Sequence, residues 1–228
     1  MKYKNIKRGT FINRPNRFIA EVEIDGKKEI CHVKNTGRCK ELLLPGTKVF
    51  LEETENINRK TKYDLISVYK GKTLINMDSN APNKVVFEWL KSGKLFENIT
   101  LIKPESKYKN SRFDFYVETD NKKIFIEVKG VTLEENGIAS FPDAPTERGI
   151  KHLQELVSAK LDGFDAYVIF VVQMKGCSSF TPNRKTHPEF ADVLINAQKH
   201  GLKIMCVDCI VTEDELVIDE YVEVNLKE

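Results

Sequence analysis

Through residues 17–80 apolar and polar positions alternate with a period of two, the signature of half-buried strands. Phe18, Ala20 and Val22 alternate with charged neighbours over residues 17–23, Asp25-Gly26 supplies a tight hairpin turn, and residues 29–34 run back. Asn35-Thr36-Gly37 marks a further turn, followed by a helical turn over residues 38–44 that Pro45-Gly46 closes. Residues 47–52, 63–69 and 72–77 are strand-like again, with Gly71 between the last two. Five short strands around one brief helix predict a small β-barrel. An OB-type barrel is one such architecture, and strand count alone leaves other small β folds open.

From Ala81 onward the period changes. Val85, Val86, Trp89 and Leu90 recur at helical spacing over residues 83–92, and Gly93 stops the run. Residues 112–118 and 122–129 read as strands around an Asp120-Asn121 turn. Residues 146–161 read as a helix with Ile150, Leu153, Val157 and Leu161 on one stripe, and residues 188–200 as a second helix ended by Gly201. The continuous apolar runs 166–173 and 202–208 are expected of buried central strands. Alternating helices and strands predict a mixed α/β sheet. The chain thus divides into a β domain at 1–80 and an α/β domain at 81–228, with no internal repeat.

Composition narrows the class without naming an activity. The 228 residues are 41% hydrophobic and 31% charged, enough for a packed core and unlike collagenous or disordered chains. No apolar run approaches the ~18–20 residues that span a bilayer, and the basic stretch at residues 1–8 leads into no apolar signal segment. Five scattered cysteines suit reduced thiols better than a disulfide framework, so a cytoplasmic protein with no membrane partner is expected. The net charge of +2 conceals an asymmetry: residues 1–80 carry seventeen Lys and Arg against ten acids, whereas the remainder is net acidic. A basic first third suits either a polyanionic partner or an ordinary solvated surface.

The sharpest chemical pattern is Asp114 followed thirteen positions later by Glu127-Val128-Lys129. Side chains alternate along a strand, so Glu127 and Lys129 project together beside Phe125, while Ile124, Ile126 and Val128 form the opposite, apolar face. A hairpin through Asp120-Asn121 returns Asp114 to the same sheet end, and Glu105 could add a third carboxylate. Hard Mg²⁺ takes one or two carboxylates, waters and a phosphate oxygen, and the Val128 carbonyl is placed for a further ligand. With Lys129 beside the attacking water, such a group suits phosphodiester hydrolysis, with Mn²⁺ as an alternative metal. The same residues could equally form a salt-bridged strand face. Thr146 is placed to cap a helix whose first turns carry Arg148, Lys151 and His152, a receptor for backbone phosphate or a merely solvated basic turn. Gly149 inside that helix points to the close approach of another chain or helix.

Several strings together carry a family resemblance. Asn35-Thr36-Gly37-Arg38 with Glu41-Leu42-Leu43, Ser111-Arg112-Phe113-Asp114-Phe115, Glu127-Val128-Lys129, Phe141-Pro142-Asp143-Ala144 and Thr146-Glu147-Arg148-Gly149 with Lys151-His152 resemble the sugar fermentation stimulation protein family, in the same order over nearly the whole chain. The resemblance implies an N-terminal OB-like barrel followed by a domain similar to PD-(D/E)XK nucleases. It implies DNA as partner and a link to maltose metabolism in which the protein is a non-specific DNA-binding regulator. It places the superfamily's acid–acid–lysine core on Asp114, Glu127 and Lys129, with Glu105 accessory, and by analogy a homodimer. Gly130 and Cys39 depart from the family pattern, which has a small polar residue at the first position and a larger apolar one at the second.

Basic residues with nearby aromatics give the barrel a candidate nucleic-acid face. These are Arg14, Arg17, His32, Asn35, Arg38 and Lys40, with Phe11 and Phe18 as stacking surfaces and Arg112 joining them from the second domain. Asn35 could instead hold a turn, and Arg38 could pair with Glu41. Other features carry less. Cys206-x-x-Cys209 in a strand points its thiols to opposite faces, which suits buried cysteines rather than half a zinc site. His200 reads as a helix C-terminal residue, and Trp89 as core.

Overall fold

The first barrel strand lies upstream of the residues whose alternation announces the barrel. In the computed structural model, which describes every residue except Thr36, Arg38, Ile57 and Glu228, β1 spans Ile6–Asn16. Its near half pairs with one neighbour and its far half with another, so few of its side chains need to be apolar. The barrel continues with β2 (Ile19–Ile24), β3 (Lys27–Val33), β4 (Lys48–Glu53) and β5 (Tyr63–Lys70). A parallel pairing of Cys31 with Tyr63 joins β3 to β5 and closes five strands. Asp25 and Gly26 both have positive φ, 50° and 74°, as the primed hairpin turn requires. The strand expected over 72–77 is β6 (Thr73–Asn76), which extends β5 as a hairpin outside the closure. β1 takes the stave expected of it.

The second domain opens with α1 (Ala81–Lys91), then β7 (Ile99–Tyr108), β8 (Ser111–Thr119) and β9 (Lys123–Val131). There follow β10 (Leu133–Glu135), β11 (Ile138–Phe141), α2 (Glu147–Leu161), β12 (Asp165–Val172), β13 (Ser179–Pro182), α3 (Pro188–Lys199), β14 (Lys203–Val211), β15 (Leu216–Tyr221) and β16 (Glu223–Val224). Six strands form a mixed sheet in the order β15-β14-β12-β9-β8-β7, with β9, β12 and β14 parallel. Both faces of its centre are covered. Val168 and Phe170 pack with Leu153 of α2 and Phe190 of α3; Ile169 and Val171 pack with Val85 and Val86 of α1. Cys206 and Cys209 fall into these two opposite cores, and all five cysteines are buried and unpaired.

A small second sheet, β10-β11-β13-β16, has strands too short to show a period. Nor does β7 show one, because it is an edge strand whose apolar positions are sparse and which carries Pro104. Leu161, expected on the buried stripe of α2, is 74% exposed; Leu156 and Ala159 take the inner positions because the helix ends as its last turn leaves the sheet. The two domains share a buried polar seam. Gln173, just after β12, donates through Nε2 to Asn76 Oδ1 (2.9 Å) and to the Asp78 carbonyl (3.1 Å). The N-terminal segment crosses to the second domain, where the Met1 amine meets Glu88 Oε2 at 2.7 Å. Among the described residues no helix is long and apolar enough to cross a membrane.

Candidate active site

The β8–β9 ladder pairs Phe115 with Ile126 and goes no further, so the two strands part where Asp114 and Glu127 stand. The Val128 amide, left without a strand partner there, donates instead to Asp114 Oδ2 at 2.7 Å. Asn83, in the first turn of α1, donates to the other oxygen, Oδ1, at 2.8 Å. In an extended strand the amide and carbonyl of one residue point to the same side, so the Val128 carbonyl also faces this gap.

Glu127 is almost fully buried, and one of its oxygens is fully engaged. Oε1 accepts from Lys129 Nζ at 2.6 Å, the same-face neighbour that alternation dictates, and from Nδ1 of His152 on α2. Oε2 is buried and has no hydrogen-bond partner among the described residues. A buried carboxylate oxygen without a donor is costly; the Glu127 charge acts on Asp114, and two neighbouring carboxylates with the Val128 carbonyl are an all-oxygen donor set of the kind that fits a hard divalent cation. The electrostatics agree with a charge-hungry site. Burial, aided by the Glu127 charge, pushes the Asp114 carboxyl up to about 6. Burial would raise Glu127 too, but the His152 hydrogen bond and the Lys129 ammonium outweigh it and hold that carboxyl below its usual value.

His152 therefore sits behind the carboxylate, not on the phosphate-facing surface. Its ring is buried, with Nδ1 toward Glu127 and Nε2 3.4 Å from Arg148 Nε. Arg148 and Lys151 lie on the exposed side of α2, Lys151 being 3.9 Å from Glu155. Thr146 caps the helix by accepting from Gly149 N at 3.0 Å, and Gly149 is tight against Phe190 of α3, so a neighbouring helix explains that glycine. Glu105 lies on β7 across from Asp114, between the pairs Pro104–Phe115 and Ser106–Phe113; it has positive φ, is exposed, and pairs with Arg112 at 3.0 Å. Gly130 has no room for a substituent, since a Cβ would lie 2.5 Å from Gln173 Oε1 and 2.8 Å from Pro82 Cγ.

The barrel candidates separate by role. Arg14 gives its guanidinium to the carbonyls of Gly37 (2.9 Å), Arg17 (2.7 Å) and Asn35 (2.6 Å), and so holds the turn that Asn35 Oδ1 also braces at Gly37 N. His32 is half-buried, 3.4 Å from Asp64. Phe11 is barrel core at 2% exposure and offers no stacking surface, because β1 turns it inward. Arg17 lies 4.7 Å over the ring of Phe18, which is exposed, and Lys40 is exposed as well. Arg38 lies outside the described residues. Asn83 escaped sequence reading because an amide in a first helical turn has no distinguishing pattern. Far from the site, Asp208, Asp219 and Glu220 gather around the Lys175 ammonium, which is within 3.0 Å of each.

Two family models cover most of the chain. One described as the sugar fermentation stimulation protein RE domain matches residues 80–215, and one described as the SfsA N-terminal OB domain matches residues 12–77. A sugar fermentation stimulation protein homolog from Ruminiclostridium cellulolyticum is 64% identical over 99% of this chain and 100% of its own. Another, from Clostridium beijerinckii, is 63% identical with the same coverage. Among solved structures, Pyrococcus furiosus SfsA in complex with Ca²⁺ superposes with a TM-score of 0.88 at 28% identity, covering 99% of this chain and 98% of that one.

Proposed function

This chain belongs to the sugar fermentation stimulation protein family, and from its site we propose a Mg²⁺- or Mn²⁺-dependent nuclease that binds DNA. The observation that carries the reading is the buried, partnerless Oε2 of Glu127 together with the paired oxygens of Asp114. Asp114, Glu127 and the Val128 carbonyl would hold the metal, in the manner of PD-(D/E)XK nucleases. The Ca²⁺ of the Pyrococcus furiosus relative supports the preference for oxygen ligands, since Ca²⁺ and Mg²⁺ are both hard cations. When bound, the metal supplies Lewis-acid activation of phosphate and water.

The chain's own groups do the rest. Glu127 Oε1 fixes the Lys129 ammonium at the site edge, where its remaining donors can meet the attacking water or a non-bridging phosphate oxygen. His152 keeps Glu127 in one rotamer. Arg148 and Lys151 supply positive charge along α2 for the neighbouring backbone, and the exposed Arg17–Phe18 pair offers a base-stacking platform on the barrel.

The test is cleavage of labelled single- and double-stranded DNA and RNA in Mg²⁺, Mn²⁺ or EDTA, beside Asp114→Asn and Glu127→Gln. Metal-dependent cutting that falls at least about 100-fold in both variants is expected. Binding without cutting in every condition would reject catalysis and leave a DNA-binding regulator on the same fold.

A further inference from the structure

The strand that carries Asp114 turns over at that residue. Phe113 lies in the core shared with α2, edge-on to the His152 ring at 6.2 Å. Phe115, two positions on, lies in the opposite core and stacks on Phe87 of α1 at 6.1 Å. In a regular strand two such residues share a face. Glu105 stands across from Asp114, and its φ of 54° marks the same turn on the partner strand. From here to their hairpin, β7 and β8 pair with each other and no longer with β9, as a two-stranded ribbon.

The ribbon has a buried side and a basic side. Tyr108 and Phe113 stack on the buried side, and the Tyr108 hydroxyl donates to Asp162 Oδ2 at 2.6 Å, which pins the ribbon to the end of α2. The exposed side carries Lys107 and Arg112, which stand directly opposite each other across the two strands. Like charges in that position repel. Glu105 relieves one of them, its Oε2 accepting from Arg112 Nη1 at 3.0 Å. The Lys107 ammonium has no ion pair or hydrogen bond among the described residues. The fold therefore holds two cations face to face on a fixed platform and supplies one carboxylate between them and the site.

We propose that Lys107 and Arg112 clamp the nucleic-acid backbone beside the scissile phosphate, and that Glu105 is the counter-ion a phosphate displaces from Arg112. Arg112 is two strand positions from Asp114, about 7 Å, and phosphates recur every ~3.4 Å of axis along one strand. A strand cut at Asp114 thus brings a phosphate roughly one or two positions away over the ribbon. A guanidinium takes phosphate as it takes carboxylate, and a phosphate between the two cations removes the repulsion that the free ribbon retains. Contacts of this kind fix register and affinity, not sequence. The inference rests on the nucleic-acid reading above and adds to it the surface that holds the strand.

The test measures binding of the full chain to labelled single- and double-stranded DNA in EDTA over a range of salt. Lys107→Gln and Arg112→Gln should each weaken binding, and together they should flatten the slope of log affinity against log salt by about two. Glu105→Gln should act in the opposite sense and tighten binding at least about twofold. Mn²⁺ affinity should be the same in the Lys107 and Arg112 variants as in the parent, since neither side chain touches Asp114 or Glu127. An unchanged salt slope in the double variant overturns the clamp. Glu105→Gln that weakens both Mn²⁺ and DNA binding assigns Glu105 to the metal and overturns its counter-ion role. Cleavage then separates the two ideas. Cutting with a KM that the double variant leaves unmoved rejects the clamp and keeps the nuclease; DNA affinity lost in the double variant of a chain that cuts nothing keeps the clamp and rejects the nuclease.

Discussion

A carboxyl raised by burial is a cost that the fold carries for the site. For Asp114 the sign is definite. Its folded value, about 6, lies above the ordinary 3.8, so the penalty is absent below pH 3.8, grows through pH 6 and is complete above it. Asp114→Asn removes the charge, keeps an acceptor for the Val128 amide, and lets Asn83 turn its own amide to match. The metal-free variant should therefore be more stable at pH 8 by about 1–3 kcal/mol, a gain that shrinks at pH 5; thermal denaturation in EDTA at both values checks it. His152 makes the complementary case. Removing its donor leaves Glu127 buried with Lys129 alone, so His152→Ala should cost about 1–3 kcal/mol and weaken Mn²⁺ binding roughly 10–100-fold. His152→Asn should recover part of both. A surface phosphate contact would lose DNA affinity and leave the Mn²⁺ titration unchanged. The sequence carried the adjacency of Glu127 and Lys129 plainly, because strand alternation is local. It could not place His152, whose helical position is compatible with either the outer or the inner face until α2 docks.

At the scale of the element, α2 shows propensity and packing in opposition. Gly149 is weaker than alanine in a helix by about 1 kcal/mol, yet a Cβ there would lie 2.8 Å from Thr146 Cγ2 and 3.2 Å from Phe190 Cε2. Thr146 is the cap and Phe190 is fully buried, so neither yields cheaply. Gly149→Ala should lower stability by about 1 kcal/mol, the overpacking and the disturbed cap exceeding the propensity gain. A raised denaturation midpoint in urea would show that Thr146 can swing aside. The elements that sequence reading found are those with a clear period or a continuous apolar run, such as β2, β12 and α3. Those it missed lack either. β1 divides its pairing between two neighbours, β7 and β15 are the largely exposed edges of the six-stranded sheet, and β10, β11, β13 and β16 are two to four residues long.

Buried charges brace the barrel where it adjoins the seam. Lys34 Nζ lies 2.9 Å from Asp64 and 3.6 Å from Asp78, both buried, and Arg59 adds a second contact to Asp64. Burial would raise the Asp64 carboxyl, but Arg59 and Lys34 outweigh it and hold it below 3.8. That contribution is complete above pH 3.8 and is lost as pH falls beneath it. Lys34→Met takes the ammonium from beside buried Asp78 and leaves Asp64 to Arg59 and His32, and should cost about 3 kcal/mol, read as a lowered unfolding temperature at pH 7 and a much smaller loss in strong acid. An equal loss at both pH values would assign the effect to packing. The sequence by itself determined what depends on near neighbours: the hairpin at Asp25-Gly26, the cap at Thr146, the opposite-facing cysteines, and the pairing of Glu127 with Lys129 two positions on. The family strings extended that to the OB and α/β domains. Only the tertiary structure decided what depends on chain segments far apart. It parted β8 from β9 so that Asp114 takes the Val128 amide, turned His152 inward to engage one oxygen of Glu127 and leave the other bare, and set the barrel turn against Asp143. Those contacts join residues from 14 to more than 100 positions apart, and no local period encodes which of them will meet.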